Sequence, residues 1–399
     1  MSCLCRPIEE ARGSKPGIEM ADILRENYEQ LQALSPEQWE VVRAIIRCRT
    51  AALGGHLWQC DRCGHNQIAY NSCRNRHCPA CQASARAAWL EARMAELLPV
   101  SYFHLVFTVP DLLAPVALQN KRLFYNLLFR SVNESLSEAA ANPKNLGARI
   151  GFLAILHTWG QNLHHHPHIH CVVPAGGLSA DGSRWISIGQ RFFLPVKVLS
   201  KLLRGKMPDY LRKAYRAGKL RFYGKQQPLA DSDLFDALIN AAYAKNWVVH
   251  AKRPFAGAAQ VLRYLGRYTH RVAISNHRIL ALQDGKVLFR WKDYKHGCRW
   301  KTMSLEAGEL IRRFLLHVLP KGYVRIRSYG ILSNRAKAQT LATCRRLLGQ
   351  DSEPADDSIL EAPQQDHFIC PKCRRGHMVS VMIIQPQPAR ASPSELKSA

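Results

Sequence analysis

Apolar residues recur at helical spacing between residues 19 and 50, at Ile23, Leu24, Leu31 and Leu34 and again at Trp39, Val42, Ile45 and Ile46. Ser35-Pro36-Glu37 interrupts the run with a capping serine and a proline at the first helical position, so two helices are expected. Residues 83–98 continue in the helical period. The period then falls to two over residues 102–109, a β-branched and aromatic strand. Beyond a helical stretch near 112–140, residues 151–157 (GFLAILH) and 168–173 (HIHCVV) read as neighbouring strands joined by the polar, His-rich segment 158–167. Short helices are expected over 195–245, a strand over 247–251 and a helix over 257–271. Residues 278–282 and 286–291 flank Asp284-Gly285, a hairpin pattern, with 299–303 as a third strand. A helix over 305–318 and a strand over 323–329 complete an α+β pattern.

Residues 351–366 hold six acidic side chains, no basic ones and two prolines, which reads as a linker. It leads to Cys370-x2-Cys373. The expected organisation is a helical lead-in with a cysteine-rich module over 1–98, a main domain over 99–345 with a helical insert over 195–245, and an acidic linker and tail over 346–399. No apolar run approaches the roughly 20 residues of a membrane-spanning helix. The first ten residues lack the basic-then-apolar order of a signal peptide, so the chain is expected in the cytoplasm without a membrane partner.

Charge sharpens the picture. The 399 residues carry 56 Lys+Arg against 30 Asp+Glu, a net charge of +26, which calls for a polyanionic partner. Residues 250–350 hold 21 Lys+Arg and 4 Asp+Glu, an excess of 17 in a quarter of the chain.

Eight of the 13 cysteines lie within the first 81 residues. Cys60-x2-Cys63 and Cys78-x2-Cys81 have the spacing of two knuckles closing one tetrahedral zinc site, a structural site with no open position. Cys73, His65 and His77 are spare donors. Cys370-x2-Cys373 could form half of a zinc ribbon, with His367 or His377 completing it.

Five histidines fall within seven residues, His164, His165, His166, His168 and His170. On a strand, His166, His168 and His170 share one face. Three chemistries fit: chelation of a divalent metal with positions left for a phosphate, metal-free attack as in the histidine-triad nucleotide hydrolases, or a plain zinc site. The nucleophile has to separate them. Val261, Tyr264, Leu265, Tyr268 and Val272 mark one helix face, and Arg263, Arg267 and Arg271 form a basic stripe beside it. A tyrosine hydroxyl with a pKa near 10 needs a polarised phosphate and neighbouring cations to act as a nucleophile.

His168-Ile169-His170 with Tyr264-x3-Tyr268 resembles the HUH, two-tyrosine rolling-circle transposases of bacterial insertion sequences, the insertion-sequence 91 family. TWGQNLHHHPHIHCVVPAGG (158–177), YLGRYTHRVAIS (264–275), SCRNRHCPACQ (72–82) and RIRSYGILSNR (325–335) resemble that family too, in its order. The resemblance implies an HUH endonuclease domain with a central antiparallel sheet and flanking helices, preceded by a small zinc-binding module. It further implies nicking and transfer of single-stranded or hairpin transposon ends: His168 and His170 hold Mg²⁺ or Mn²⁺, and Tyr264 or Tyr268 forms a 5′-phosphotyrosine. Gln161, Gln260 and His166 are candidates for a third ligand. Arg263, Arg267 and Arg271 would contact phosphates. Arg290, Lys292 and Arg299, interleaved with Trp291, Tyr294, Lys295 and Trp300, suit a single strand whose bases stack on aromatic rings. The competing expectations are a histidine-triad nucleotide hydrolase or transferase and a non-catalytic, zinc-dependent DNA-binding regulator.

Overall fold

The structure is a computed structural model and describes residues 17–188, 194–252, 266, 272–293, 297–335, 337–349 and 369–387. In chain order the elements are α1 (Met20–Glu26), α2 (Pro36–Arg47), β1 (Gly55–Cys60), β2 (Asn66–Tyr70), α3 (Gln82–Met94), β3 (Tyr102–Thr108), α4 (Ala114–Gln119), α5 (Lys121–Ala141), β4 (Gly151–Trp159), β5 (His165–Pro174), β6 (Gly176–Leu178) and β7 (Trp185–Ser187). They continue with α6 (Val196–Arg216), α7 (Ser232–Ala244), β8 (Val248–Lys252), β9 (Ile279–Gln283), β10 (Lys286–Asp293), β11 (Arg299–Glu306), α8 (Ala307–Leu316), β12 (Ile326–Gly330), α9 (Lys337–Leu347) and β13 (Met378–Ile384). The expected Ser35 cap is present: its side chain accepts from the Gln38 backbone N–H, Gln38 reciprocates, and Pro36 opens α2. The helical region 195–245 is less broken than its sequence suggests. α6 runs for 21 residues through Pro208 because Leu199, Leu203, Met207 and Leu211 bury one continuous stripe.

The chain forms two compact units that interleave along the sequence. One comprises 1–85, 271–318 and 354–399; the other comprises 86–270 and 319–353. The first holds two three-stranded antiparallel sheets, β13-β1-β2 and β11-β10-β9. Asp284 and Gly285 both take positive φ between β9 and β10, as a tight hairpin with right-handed strand twist requires.

The second unit is built on the antiparallel sheet β12-β4-β5-β3-β8. Its inner face carries Leu105 and Phe107 from β3, Phe152 and Leu156 from β4 and Ile169 and Val173 from β5. These pack against Phe124, Leu128, Val132 and Leu136 of α5 and the apolar stripes of α6 and α7. Burying one such side chain contributes about 1.5–3 kcal/mol, so this face fixes the register of the strands. The outer face carries Tyr102, Leu153, Ile155 and Val172, covered in part by Trp89 of α3.

Gly330, paired with Gly151 at the end of β12, takes φ +58°, and a Cβ there would lie 1.9 Å from the Ile150 carbonyl oxygen. Gly330→Ala should lower unfolding free energy in urea by at least about 2 kcal/mol, because the clash adds to the left-handed strain. Gly285→Ala, with open space at its Cβ, should cost only about 1 kcal/mol.

Candidate functional site

The alternation expected of the His-rich strand is present, and the pairing of β4 with β5 adds a residue that the sequence reading missed. His157 lies directly opposite His168, and Ile155 opposite His170. All of these share the outer face, so nitrogens of His157, His168 and His170 come within 4.8 Å of one another. The rings of His157 and His170 are 4.2 Å apart and those of His168 and His170 are 4.9 Å apart. This is a three-imidazole set of the kind that binds a divalent metal.

Two hydrogen bonds fix which nitrogens face the cluster. His168 Nδ1 lies 2.7 Å from the His166 carbonyl oxygen and donates to it, leaving Nε2 as the ligand atom. His170 Nδ1 lies 2.7 Å from Nε2 of His104, a buried histidine on β3. Burial pushes His168 down to about 4 and His104 to about 3, and it holds His170 well below the ordinary imidazole range. The rings are therefore neutral near pH 7, the form that ligates.

The expected third ligands are His166, Gln161 and Gln260. His166 shares the face but pairs through Nδ1 with Asp111 at 2.9 Å. Gln161 lies in the turn between β4 and β5, and Gln260 lies outside the described residues. His165 points to the inner face, where its Nε2 meets the hydroxyl of buried Tyr125 at 2.8 Å. That explains one histidine of the five as a core partner.

Tyr264, Tyr268, Arg263, Arg267 and Arg271 lie outside the described residues. Gly266, between the two tyrosines, is described. It sits so close to Leu90 that a Cβ would come within 2.7 Å of that side chain. Leu90 is on α3 beside Trp89, which covers Ile155 and Leu153 on the histidine-bearing face.

The cysteines correct the expectation of one site from Cys60, Cys63, Cys78 and Cys81. They fall into two clusters, Cys48, Cys73, Cys78 and Cys81 in one and Cys60, Cys63, Cys370 and Cys373 in the other. β2 separates the two expected knuckles, so the 14-residue spacing does not bring them together. In the first cluster the Sγ atoms of Cys48 and Cys73 lie 3.3 and 3.6 Å from that of Cys81. Hydrogen bonds from Cys73 and Cys78 hold Cys48 strongly down, whereas the contact with Cys48, with burial, pushes Cys73 up to about 12. Thiolates this close repel, and a divalent cation lets all four ionise. The signal available in the sequence was three Cys-x2-Cys pairs, at 60/63, 78/81 and 370/373, with Cys48 and Cys73 as further donors.

On the β10–β11 pair, Arg290 is opposite Thr302 and Lys292 opposite Trp300, so Arg290, Lys292 and Trp300 share one exposed face. Arg299 is opposite Asp293 on the other face, with Trp291 and Lys301. The basic quarter 250–350 is divided between the two units.

A family model described as "Transposase zinc-binding domain" matches residues 20–109, and one described as "Putative transposase" matches 151–340. "Putative transposase y4qJ" of Sinorhizobium fredii is 53% identical over 385 residues, covering 93% of this chain and 96% of its own. The chain belongs to the insertion-sequence 91 family of transposases. The transposase for insertion sequence element IS801 of Pseudomonas savastanoi is 29% identical, covering 83% of this chain and 78% of its own. Membership sets aside the histidine-triad hydrolase and makes the cysteine-rich module a transposase zinc-binding domain. Among solved structures, the metal-bound conjugative relaxase TrwC in complex with oriT DNA is 13% identical, covers 64% of this chain and 96% of that chain, and has a TM-score of 0.25. No helix among the described residues of this transposase is long and apolar enough to cross a membrane.

The depressed imidazoles set a pH dependence. Between the ordinary value of 6.5 and about 4, the unfolded chain binds more protons at His168 than the native state does, so stability falls as pH falls through that window. Without Mg²⁺ or Mn²⁺, the urea midpoint should drop from pH 7 to pH 4.5, and it should drop less in His168→Asn.

Proposed function

We propose that this transposase nicks single-stranded DNA at transposon ends through a tyrosine nucleophile and rejoins strands in rolling-circle fashion. The observation that carries the reading is the convergence of His157, His168 and His170 on the outer face of the central sheet. These three imidazoles would hold the divalent cation, Mg²⁺ or Mn²⁺ by the family resemblance, which when bound would polarise the scissile phosphate and offset charge on its oxygens. His104 orients His170, and the His166 carbonyl orients His168.

Tyr264 or Tyr268 attacks the phosphorus, its P–O bond forming as the bond to the 3′-oxygen breaks. The products are a 5′-phosphotyrosine and a free 3′-hydroxyl. The phosphotyrosine conserves the energy of the broken bond, so a later 3′-hydroxyl can displace the tyrosine without ATP, and the second tyrosine can serve the other end. Arg263, Arg267 and Arg271 bind phosphates and favour the phenolate. The position of Gly266 against Leu90, on the helix that covers the histidine face, supports pairing this segment with the metal centre. Cys48, Cys73, Cys78 and Cys81 hold a structural zinc ion.

Arg290, Lys292 and Trp300 offer a single strand two phosphate contacts and a stacking platform, the latter worth about 1–3 kcal/mol per base. Arg299 serves another part of the surface.

Incubating the protein with a single-stranded end substrate and Mg²⁺ should give a covalent adduct that resists boiling in detergent. Adduct should be absent with chelator and in the Tyr264→Phe, Tyr268→Phe double variant; an adduct in the double variant would refute the nucleophile. Replacing Arg290 and Lys292 with Ala should weaken single-strand binding and make the slope of log K against log salt shallower by about 1.4, the value for two lost phosphate contacts. An unchanged slope would remove this face from the interface.

A further inference from the structure

We propose that a second zinc ion is held by Cys60, Cys63, Cys370 and Cys373, its thiolates drawn in pairs from the two ends of the chain, so that zinc fastens the C-terminal segment onto the N-terminal zinc-binding domain. The match to that domain ends at residue 109, so half of this site lies outside it. The inference does not depend on the DNA chemistry proposed above.

Distance argues for a metal. The Sγ atoms of Cys60 and Cys373 are 3.7 Å apart, as are those of Cys63 and Cys370. Four sulfurs at about 2.3 Å from zinc form a tetrahedron with edges of about 3.8 Å. A disulfide would hold two sulfurs at about 2.05 Å. Both cross-pairs match the tetrahedral edge.

The local backbone repeats in the two halves. In the first, the Gly64 N–H donates to the Cys60 carbonyl at 3.1 Å; in the second, the Arg374 N–H donates to the Cys370 carbonyl at 2.9 Å. The residue after each second cysteine takes positive φ, +68° at Gly64 and +55° at Arg374. Backbone N–H groups point at sulfur in both: Arg62 and Cys63 toward Cys60 Sγ at 3.4 and 3.5 Å, and Gly376 toward Cys373 Sγ at 3.4 Å. Such donors stabilise thiolate rather than thiol. Two equivalent knuckles facing each other make a zinc ribbon. His377 is not its fourth ligand, because its backbone N–H and Nδ1 face Asp61 instead.

Packing shows why a metal is needed. β13 pairs with β1 along its whole length, from Gly55 opposite Ile384 to Cys60 opposite Met378, and this register brings the knuckles together. Yet Val379, Val381, Met382 and Ile383 of β13 are exposed, and the buried cluster at the knuckles consists of Cys60, Cys370 and Met378. That is too little apolar surface to retain a segment joined through a long linker. Gly376 allows the close approach: a Cβ there would come within 2.6 Å of Cys60 Sγ.

The full-length protein, dialysed against zinc-free buffer, should retain two zinc ions per chain by plasma mass spectrometry, one for each cluster. The Cys370→Ser, Cys373→Ser double variant should retain one. Fewer than two ions in the wild type, or two in the variant, overturns the proposal. If the variant unfolds and loses both, a measurement on wild type decides. Iodoacetamide should alkylate Cys370 and Cys373 at least about tenfold more slowly in zinc-loaded than in chelated protein, because metal-bound thiolates are shielded. Equal rates overturn it.

Discussion

The antiparallel register of β4 against β5 is the constraint on which the histidine cluster depends. A strand sends alternate side chains to opposite faces, so a slip of one residue would exchange the core set for the histidine set. Phe152, Ala154 and Leu156 on β4, with Ile169, Cys171 and Val173 on β5, are buried together against the helices. Their burial makes any other register costly and thereby holds His157 opposite His168. Core packing on one face thus fixes the spacing of the histidines on the other, on inner strands of the sheet rather than on a loop.

The same economy governs the cysteines. Neither cysteine cluster is contiguous in sequence: one joins the end of α2 to the loop after β2, and the other joins Cys60 and Cys63 to Cys370 and Cys373 through the β1–β13 ladder. Backbone pairing sets the sulfurs near a tetrahedral edge, and mutual repulsion of thiolates then favours a divalent cation over any all-protein solution. The second cluster joins two of the segments of the first unit, 1–85 and 354–399.

Much of the fold was legible because it rests on local pattern. The Ser35-Pro36 helix start, the Asp284-Gly285 hairpin and the strands around His168 and His170 all follow from capping, turn chemistry and alternation. His157 was not legible for a physical reason. It closes the apolar run GFLAILH, where a single histidine looks like a core residue, and only the register with β5 shows that it faces His168. Cys48 and Cys73 were obscured in the same way, since a spacing rule sees neighbours in sequence and not the sheet that carries one knuckle away from the other. Arg299 was grouped with Arg290 and Lys292 by sequence proximity, but strand pairing sets it on the opposite face.

The central claim is that His157 completes a metal centre with His168 and His170, and its most direct test is a Mn²⁺ titration of zinc-replete protein followed by electron paramagnetic resonance. The account predicts one Mn²⁺ bound per chain, with affinity reduced at least about tenfold in His157→Asn, since even outer-sphere partners of a metal ligand are worth that much. Unchanged Mn²⁺ affinity in His157→Asn, with loss of binding in Gln161→Ala, would contradict it.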